Sequence, residues 1–206
     1  VAESGEEITG SGDTIGAVPT LADIALEASA CLRCPLSQGR TTVVFGEGDP
    51  DADLMIIGEG PGRDEDLQGR PFVGRSGKLL DRLLLEEIGL PRSAVYIANV
   101  VKCRPPGNRD PAPEEIAACG PWLEAQIRLI APRVVLTLGN FSTKLLLGTT
   151  DGISITRGKV HPWGPDGAVL VPTFHPAFAL RGAGEALAGM RADFVRAKQA
   201  LAMVPR

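Results

Sequence analysis

The chain has 206 residues, 44% hydrophobic and 22% charged, with a net charge of −4 and a pI near 5.3. That is the composition of one globular domain, and its acidic balance argues against a bulk polyanion binder, whose surface is usually basic, while leaving room for a local basic face. Apolar runs such as 54–57 and 94–98 fall far short of the roughly 20 residues that cross a bilayer, and no basic stretch followed by an apolar one opens the chain as a secretory signal would.

Residues 1–18, rich in Gly, Ser, Glu and Thr, read as a disordered tail ahead of one domain over 19–206. Thr20 is placed to cap a helix over 21–30, with Leu21, Ile24, Ala25 and Ala28 on one face. Cys31 and Cys34 follow it. The turn-rich stretch 35–52 holds a short extended piece at 41–45. A buried strand over 53–57 runs into Gly58-Glu59-Gly60-Pro61-Gly62, a tight loop. A helix is expected over 76–88 and a second strand over 95–101, leading into Cys103-Arg104-Pro105-Pro106. A long helix over 113–130 starts on a proline, as helices tolerate, and Gly120-Pro121 is expected to kink or split it. Then come a strand over 133–138, a helix over 140–147, extended pieces over 153–167, a strand over 168–171 and a helix over 185–202. Strands alternating with helices mean an α/β sheet, mainly parallel, with helices on both faces. Ligands of such sheets bind beyond the C-terminal strand ends, which points to 58–75, 99–110, 139–142 and 172–181.

Those loops carry the unusual residues. Three glycines among Gly58, Glu59, Gly60, Pro61 and Gly62 let backbone N–H groups approach a ligand closely, yet the spacing fits neither the dinucleotide fingerprint nor the P-loop. Phe72 stands between turn residues and is either a stacking surface or an anchor for its loop. Asn99 closes an apolar strand. Its amide offers a donor and an acceptor, which suits the edge of a planar base or the holding of a loop. His175 follows the fourth strand, where a catalytic or a structural histidine can stand, while His161 sits in a turn and reads as structural. Basic residues gather at Arg63, Arg70, Arg75 and Lys78, at Lys102, Arg104 and Arg109, and at Arg157 and Lys159, as local basic faces or simply solvated ones.

The four cysteines form two pairs, Cys31 with Cys34 and Cys103 with Cys119. A chain of this length without a secretory signal is expected in a reducing cytoplasm, where ligand roles outnumber disulfides. Four soft ligands in two pairs can close one metal site and leave no thiol over.

The stretches GEGPGRDEDLQGRPFVG (58–74), VYIANVVKCRPP (95–106) and VPTFHPAFALR (171–181) resemble, in this order, the three motifs of the family 4 uracil-DNA glycosylases, and the cysteine pattern resembles that family's four cluster ligands. The resemblance runs from about residue 22 to the C-terminus. It implies a three-layer αβα sandwich on a four-stranded parallel sheet, and an enzyme that hydrolyses the N-glycosidic bond of deoxyuridine in DNA. The implied cofactor is a [4Fe–4S] cluster on Cys31, Cys34, Cys103 and Cys119. The implied partner is uracil-containing DNA, single- or double-stranded, bound by a monomer with no membrane involved. By the same resemblance Phe72 stacks on the base, Asn99 reads it, Gly58, Glu59 and Gly60 hold its carbonyls, and His175 donates to its O2. Leu180 and Arg181 meet the DNA, with Phe178 beside them. Gly60 stands where the wider superfamily carries Asp or Asn, which leaves Glu59 and Glu65 as the carboxylates to orient water. The related covalent-trapping branch has a basic insert with a histidine after the second motif. Gly107-Asn108-Arg109 stands here instead, so ordinary turnover is expected. The competing function is a non-catalytic iron–sulfur module for DNA binding or redox, which does not need Phe72, Asn99 and His175 at three separate strand ends; a zinc-stapled hydrolase is a third, set apart by a colourless protein.

Overall fold

Period-two alternation inside fully buried strands sets the layers. In β2 (Leu54–Gly58) every residue is buried, with Leu54 and Ile56 in one core and Met55 and Ile57 in the other. β3 (Tyr96–Asn99) behaves likewise: Ile97 joins the first core, and Tyr96 and Ala98 the second. The computed structural model describes residues 18–164, 167–182 and 184–205. The tail assigned to 1–18 therefore lies, except for Val18, outside the described residues.

The sheet adds β1 (Glu47–Gly48), β4 (Val134–Leu138), β5 (His161–Pro162) and β6 (Val169–Thr173) in the order β1-β3-β2-β4-β6-β5. The inner four strands are parallel, as expected. Two-residue antiparallel strands extend both edges, so the sheet has six strands rather than four. On one face lie α1 (Leu21–Ser29), α4 (Pro113–Ile130) and α5 (Asn140–Leu147), and on the other α3 (Arg75–Leu83) and α8 (Gly184–Met203). The architecture is thus the expected αβα sandwich. No helix among the described residues is long and apolar enough to cross a membrane.

Several local expectations give way. The extended piece predicted at 41–45 does not form a strand; pairing occurs two residues later, where Glu47 and Gly48 lie against Ile97 and Tyr96. Residues 63–68 form a helix, α2 (Arg63–Gln68), not a loop, with three acids in its first turn and a left-handed Gly69 at its end. Residues 153–156 form a helical turn, α6 (Ile153–Thr156), where extended backbone was expected. Another, α7 (Pro176–Leu180), follows His175. Six residues or fewer carry too little periodicity to be read. Helix α4 runs unbroken past Pro121. Pro121 and Ala117 are both exposed, so the carbonyl that loses its partner faces solvent.

Candidate active site and cysteine cavity

At the C-terminal ends of β2 and β3, Gly58 pairs in register with Asn99. A Cβ on Gly58 would lie 2.4 Å from Asn99 Oδ1 and 2.6 Å from Phe72 Cζ. Only glycine lets the amide and the ring meet there. Asn99 is 1% exposed, and its Oδ1 is buried with no hydrogen-bond partner among the described residues. A buried acceptor left unpaired costs on the order of 1–3 kcal/mol, so this oxygen favours a hydrogen-bond donor.

Phe72 is held by its backbone. It adopts φ 50°, a left-handed conformation rare outside glycine. Arg92 donates to the carbonyl of Phe72 at 3.2 Å and also to that of Pro71. Arg92 is anchored in turn by Glu47 at 2.6 Å and Asp81 at 3.0 Å. On the other side Glu65 Oε1 accepts from the N–H of Val73 at 2.9 Å and of Gly74 at 3.2 Å. Gly77 passes so close to the Phe72 carbonyl that a Cβ would lie 1.7 Å from it. Strained residues fixed this firmly cluster at working sites. Nothing in the sequence around Pro91-Arg92-Ser93 marks Arg92 for this duty.

His175 caps α7. Its Nδ1 accepts from the Ala177 N–H at 3.1 Å, so in the neutral ring the proton sits on Nε2. Burial, helped by the Arg181 charge and opposed by Glu65, lowers its pKa to about 4. The ring lies 5.9 Å from that of Phe72, tilted by 36°. Gly139 gives it room, since a Cβ there would come within 3.0 Å of His175 Cβ. Phe72, Asn99, Gly58 and His175 are thus brought together from four segments. Glu59 lies in the loop after β2, its pKa raised by burial and by the neighbouring Asp110 carboxylate. Gly60 lies beside Val101. At the rim, Phe178 and Leu180 are 49% and 48% exposed, and Phe178 stacks on Phe174 at 5.3 Å. Arg181 is exposed.

The basic groups divide. Arg63, Arg75 and Lys78 are exposed at the starts of α2 and α3. Arg109 is bound to Glu115, Arg70 to Glu47 and Arg157 to Asp193. Lys102 is not a surface cation: it is 1% exposed, and burial lowers its pKa to about 7. His161 is structural, with Nε2 2.9 Å from the Thr156 carbonyl oxygen.

On the opposite face of the sheet, Cys31, Cys34, Cys103 and Cys119 line one cavity with Trp122. All four are free thiols, and among the described residues no group of three or more His, Cys, Asp or Glu converges on a single-ion site. The cavity wall points donors at sulfur. The Lys102 N–H donates to Cys119 Sγ at 3.2 Å and Arg40 to Cys103 Sγ at 3.5 Å. Trp122 Nε1 is buried without a partner. Burial pushes the Cys103 thiol up to about 11 and raises that of Cys119. Four thiols around one cavity, of which the buried Cys103 and Cys119 are held above the usual thiol range and each meet an N–H donor, fit a bound metal group that deprotonates them.

The family model of the uracil DNA glycosylase superfamily matches residues 45–202. A type-4 uracil-DNA glycosylase of Thermotoga maritima is 51% identical over 152 residues, 73% of this chain and 78% of that protein. One of Saccharolobus solfataricus is 44% identical over 188 residues, 88% of this chain and 87% of that protein. A type-5 uracil-DNA glycosylase of Thermus thermophilus is 34% identical over 149 residues, 64% of this chain and 68% of that protein. The order of motifs, the strand-end cluster and these likenesses agree: the chain belongs to the uracil-DNA glycosylase superfamily and, within it, to the type-4 enzymes.

Proposed function

We infer that the protein is a DNA-repair enzyme that hydrolyses the N-glycosidic bond of deoxyuridine in DNA, releasing uracil and leaving an abasic site. The observation that carries this reading is the buried, partnerless Asn99 Oδ1 between Gly58 and Phe72. Uracil N3–H is a donor and its O4 an acceptor, so one amide pairs with both. Cytosine presents the opposite pattern and leaves buried groups unpaired, which is a strong basis for rejection. The deoxyuridine must be flipped out of the stack to reach this depth.

The chemistry follows from where charge develops. Bond cleavage leaves an anionic uracil and an oxocarbenium-like sugar. His175, neutral and protonated at Nε2, donates to uracil O2 as the anion forms, an oxyanion-hole role. Backbone N–H groups at Gly58, Glu59 and Gly60 hold the carbonyls, and Phe72 stacks on the ring. Glu59, made more basic by burial and Asp110, orients the attacking water. Glu65, locked by the amides of Val73 and Gly74, supplies fixed negative charge beside the sugar cation. Leu180, Arg181 and Phe178 enter the DNA, and the exposed Arg63, Arg75 and Lys78 meet phosphates, so binding weakens steeply with salt.

Cys31, Cys34, Cys103 and Cys119 hold a [4Fe–4S] cluster. The cluster supplies a structural staple between α1, the end of β3 and α4, and takes no part in hydrolysis. Brown protein containing iron is the expected result; a colourless protein containing zinc overturns the cofactor assignment.

The function is tested with an oligonucleotide carrying one uracil, followed by alkaline cleavage. A strand break at the uracil is expected. No break, with a control enzyme active on the same DNA, removes the reading. Asn99→Asp is expected to cut uracil excision sharply, and unchanged excision refutes the reading role of Asn99.

A further inference from the structure

Lys102 is, with Phe194, among the largest fully buried side chains of the described residues. Burying an ammonium is expensive, and an apolar residue of the same length would fill the space. Its hydrogen bonds go to two neutral oxygens. Nζ donates to the Asn99 carbonyl at 2.8 Å and to Gln126 Oε1 at 2.5 Å. Gln126, itself 0% exposed, is fixed from its other end, where Nε2 donates to the Phe45 carbonyl at 2.7 Å and the Tyr96 hydroxyl at 3.2 Å.

The placement matters because Asn99 and the cysteines lie on opposite faces of the sheet end. Asn99 has the parity of Ile97 and faces the core that contains Phe72. Lys102 lines the cysteine cavity with its backbone N–H on Cys119 Sγ, yet its ammonium returns to the peptide of Asn99. One residue therefore ties the end of β3 to α4 twice, by its backbone to Cys119 and by its side chain to Gln126.

We propose that Lys102 is a positioning residue for uracil recognition: its ammonium, held by Gln126, fixes the Asn99 peptide and so aims the Asn99 amide at the base. The proposal rests on Asn99 reading uracil. Through this tether α4 acts on Asn99 by a route that does not pass through a metal.

The test is single-turnover uracil excision by the intact metal-loaded protein, comparing wild type, Lys102→Met, Asn99→Ala and the double variant. Lys102→Met is expected to lower the rate constant at saturating DNA about 100-fold, the scale of an ångström-size misplacement. The reaction amplitude, the metal content and the DNA Kd stay at wild-type values. In the Asn99→Ala background, Lys102→Met causes no further loss. The proposal is overturned by an unchanged rate constant, by a loss confined to amplitude or metal content, or by losses that multiply in the double variant. Should Lys102→Met not fold, Gln126→Leu decides: it is expected to lower the rate constant severalfold with metal content kept, and an unchanged rate overturns the proposal. An inactive wild type, or an Asn99→Ala variant as fast as wild type, instead removes the functional reading beneath it.

Discussion

The two sides of the β3 terminus are built on opposite principles. On the cysteine side, four thiols line one cavity, and the Lys102 N–H and Arg40 donate to two of the sulfurs. On the base side, rigidity is supplied in advance by protein. Arg92 and Glu65 clamp the Phe72 peptide from both ends, and Gly58 and Gly77 let backbone and rings approach at distances no Cβ permits. A staple needs only the correct ligands. A site that separates uracil from cytosine needs its dipoles fixed before the base arrives.

That contrast is broken most directly on the base side. His175→Ala removes the donor proposed for the leaving uracil, and the single-turnover rate constant is expected to fall about 100- to 1,000-fold with little change in DNA Kd. A loss within tenfold would mean that backbone amides carry the anion. Gly58→Ala is next. Its methyl would stand 2.4 Å from Asn99 Oδ1 and 2.6 Å from Phe72 Cζ, so one or both must move, for an expected loss of about 100-fold. A Gly58→Ala variant that folds with wild-type excision would show that the packing is looser than described. Cys103→Ala probes the other side. It is expected to reduce metal content, thermal stability and DNA affinity, while protein that retains metal keeps a rate constant near wild type. Full stability without metal would overturn the proposed role of the cysteine cavity as a staple.

The sheet and the cysteine set were legible because each has a signal in the chain itself. Fully apolar strands ending in glycine or proline turns give the parallel sheet, and four soft ligands in two pairs give the cavity. Of the proposed base site, the sequence singled out Phe72, Asn99 and His175, which the fold brings together. The supports of that site were not legible. Arg92 is 20 positions from the carbonyl it holds, and Gln126 is 24 from the ammonium it accepts. Lys102 read as part of a basic surface because a lysine after an apolar strand normally marks the return to solvent; only the tertiary fold shows that it is covered. The missed helices α2 and α7 have six and five residues, and their caps, Gly62 and His175, lie inside motifs that read as ligand loops.

The smallest expected effect concerns the proton on His175. Its pKa in the folded protein is lowered from 6.5 to about 4, chiefly by burial. The neutral ring is therefore favoured by folding. This contribution to stability is complete above pH 6.5 and is lost as pH falls toward about 4, because the unfolded chain takes up a proton that the folded one refuses. Glu59 works in the opposite sense. Its raised pKa contributes stability below the ordinary glutamate value of 4.5, which is lost as pH rises through the folded value. Comparing wild type with His175→Asn by urea unfolding across this range separates the two. The acid-side decline between pH 6.5 and 4 should flatten in the variant, while the Glu59 contribution persists in both. In the wild type the single-turnover rate should show no titration near 6.5 from His175, since the ring is already neutral there. A wild-type rate limb with a midpoint near 6.5 that vanishes with His175 would place the imidazole in water, and with it would go the preorganisation that distinguishes the base side of the sheet from the cysteine side.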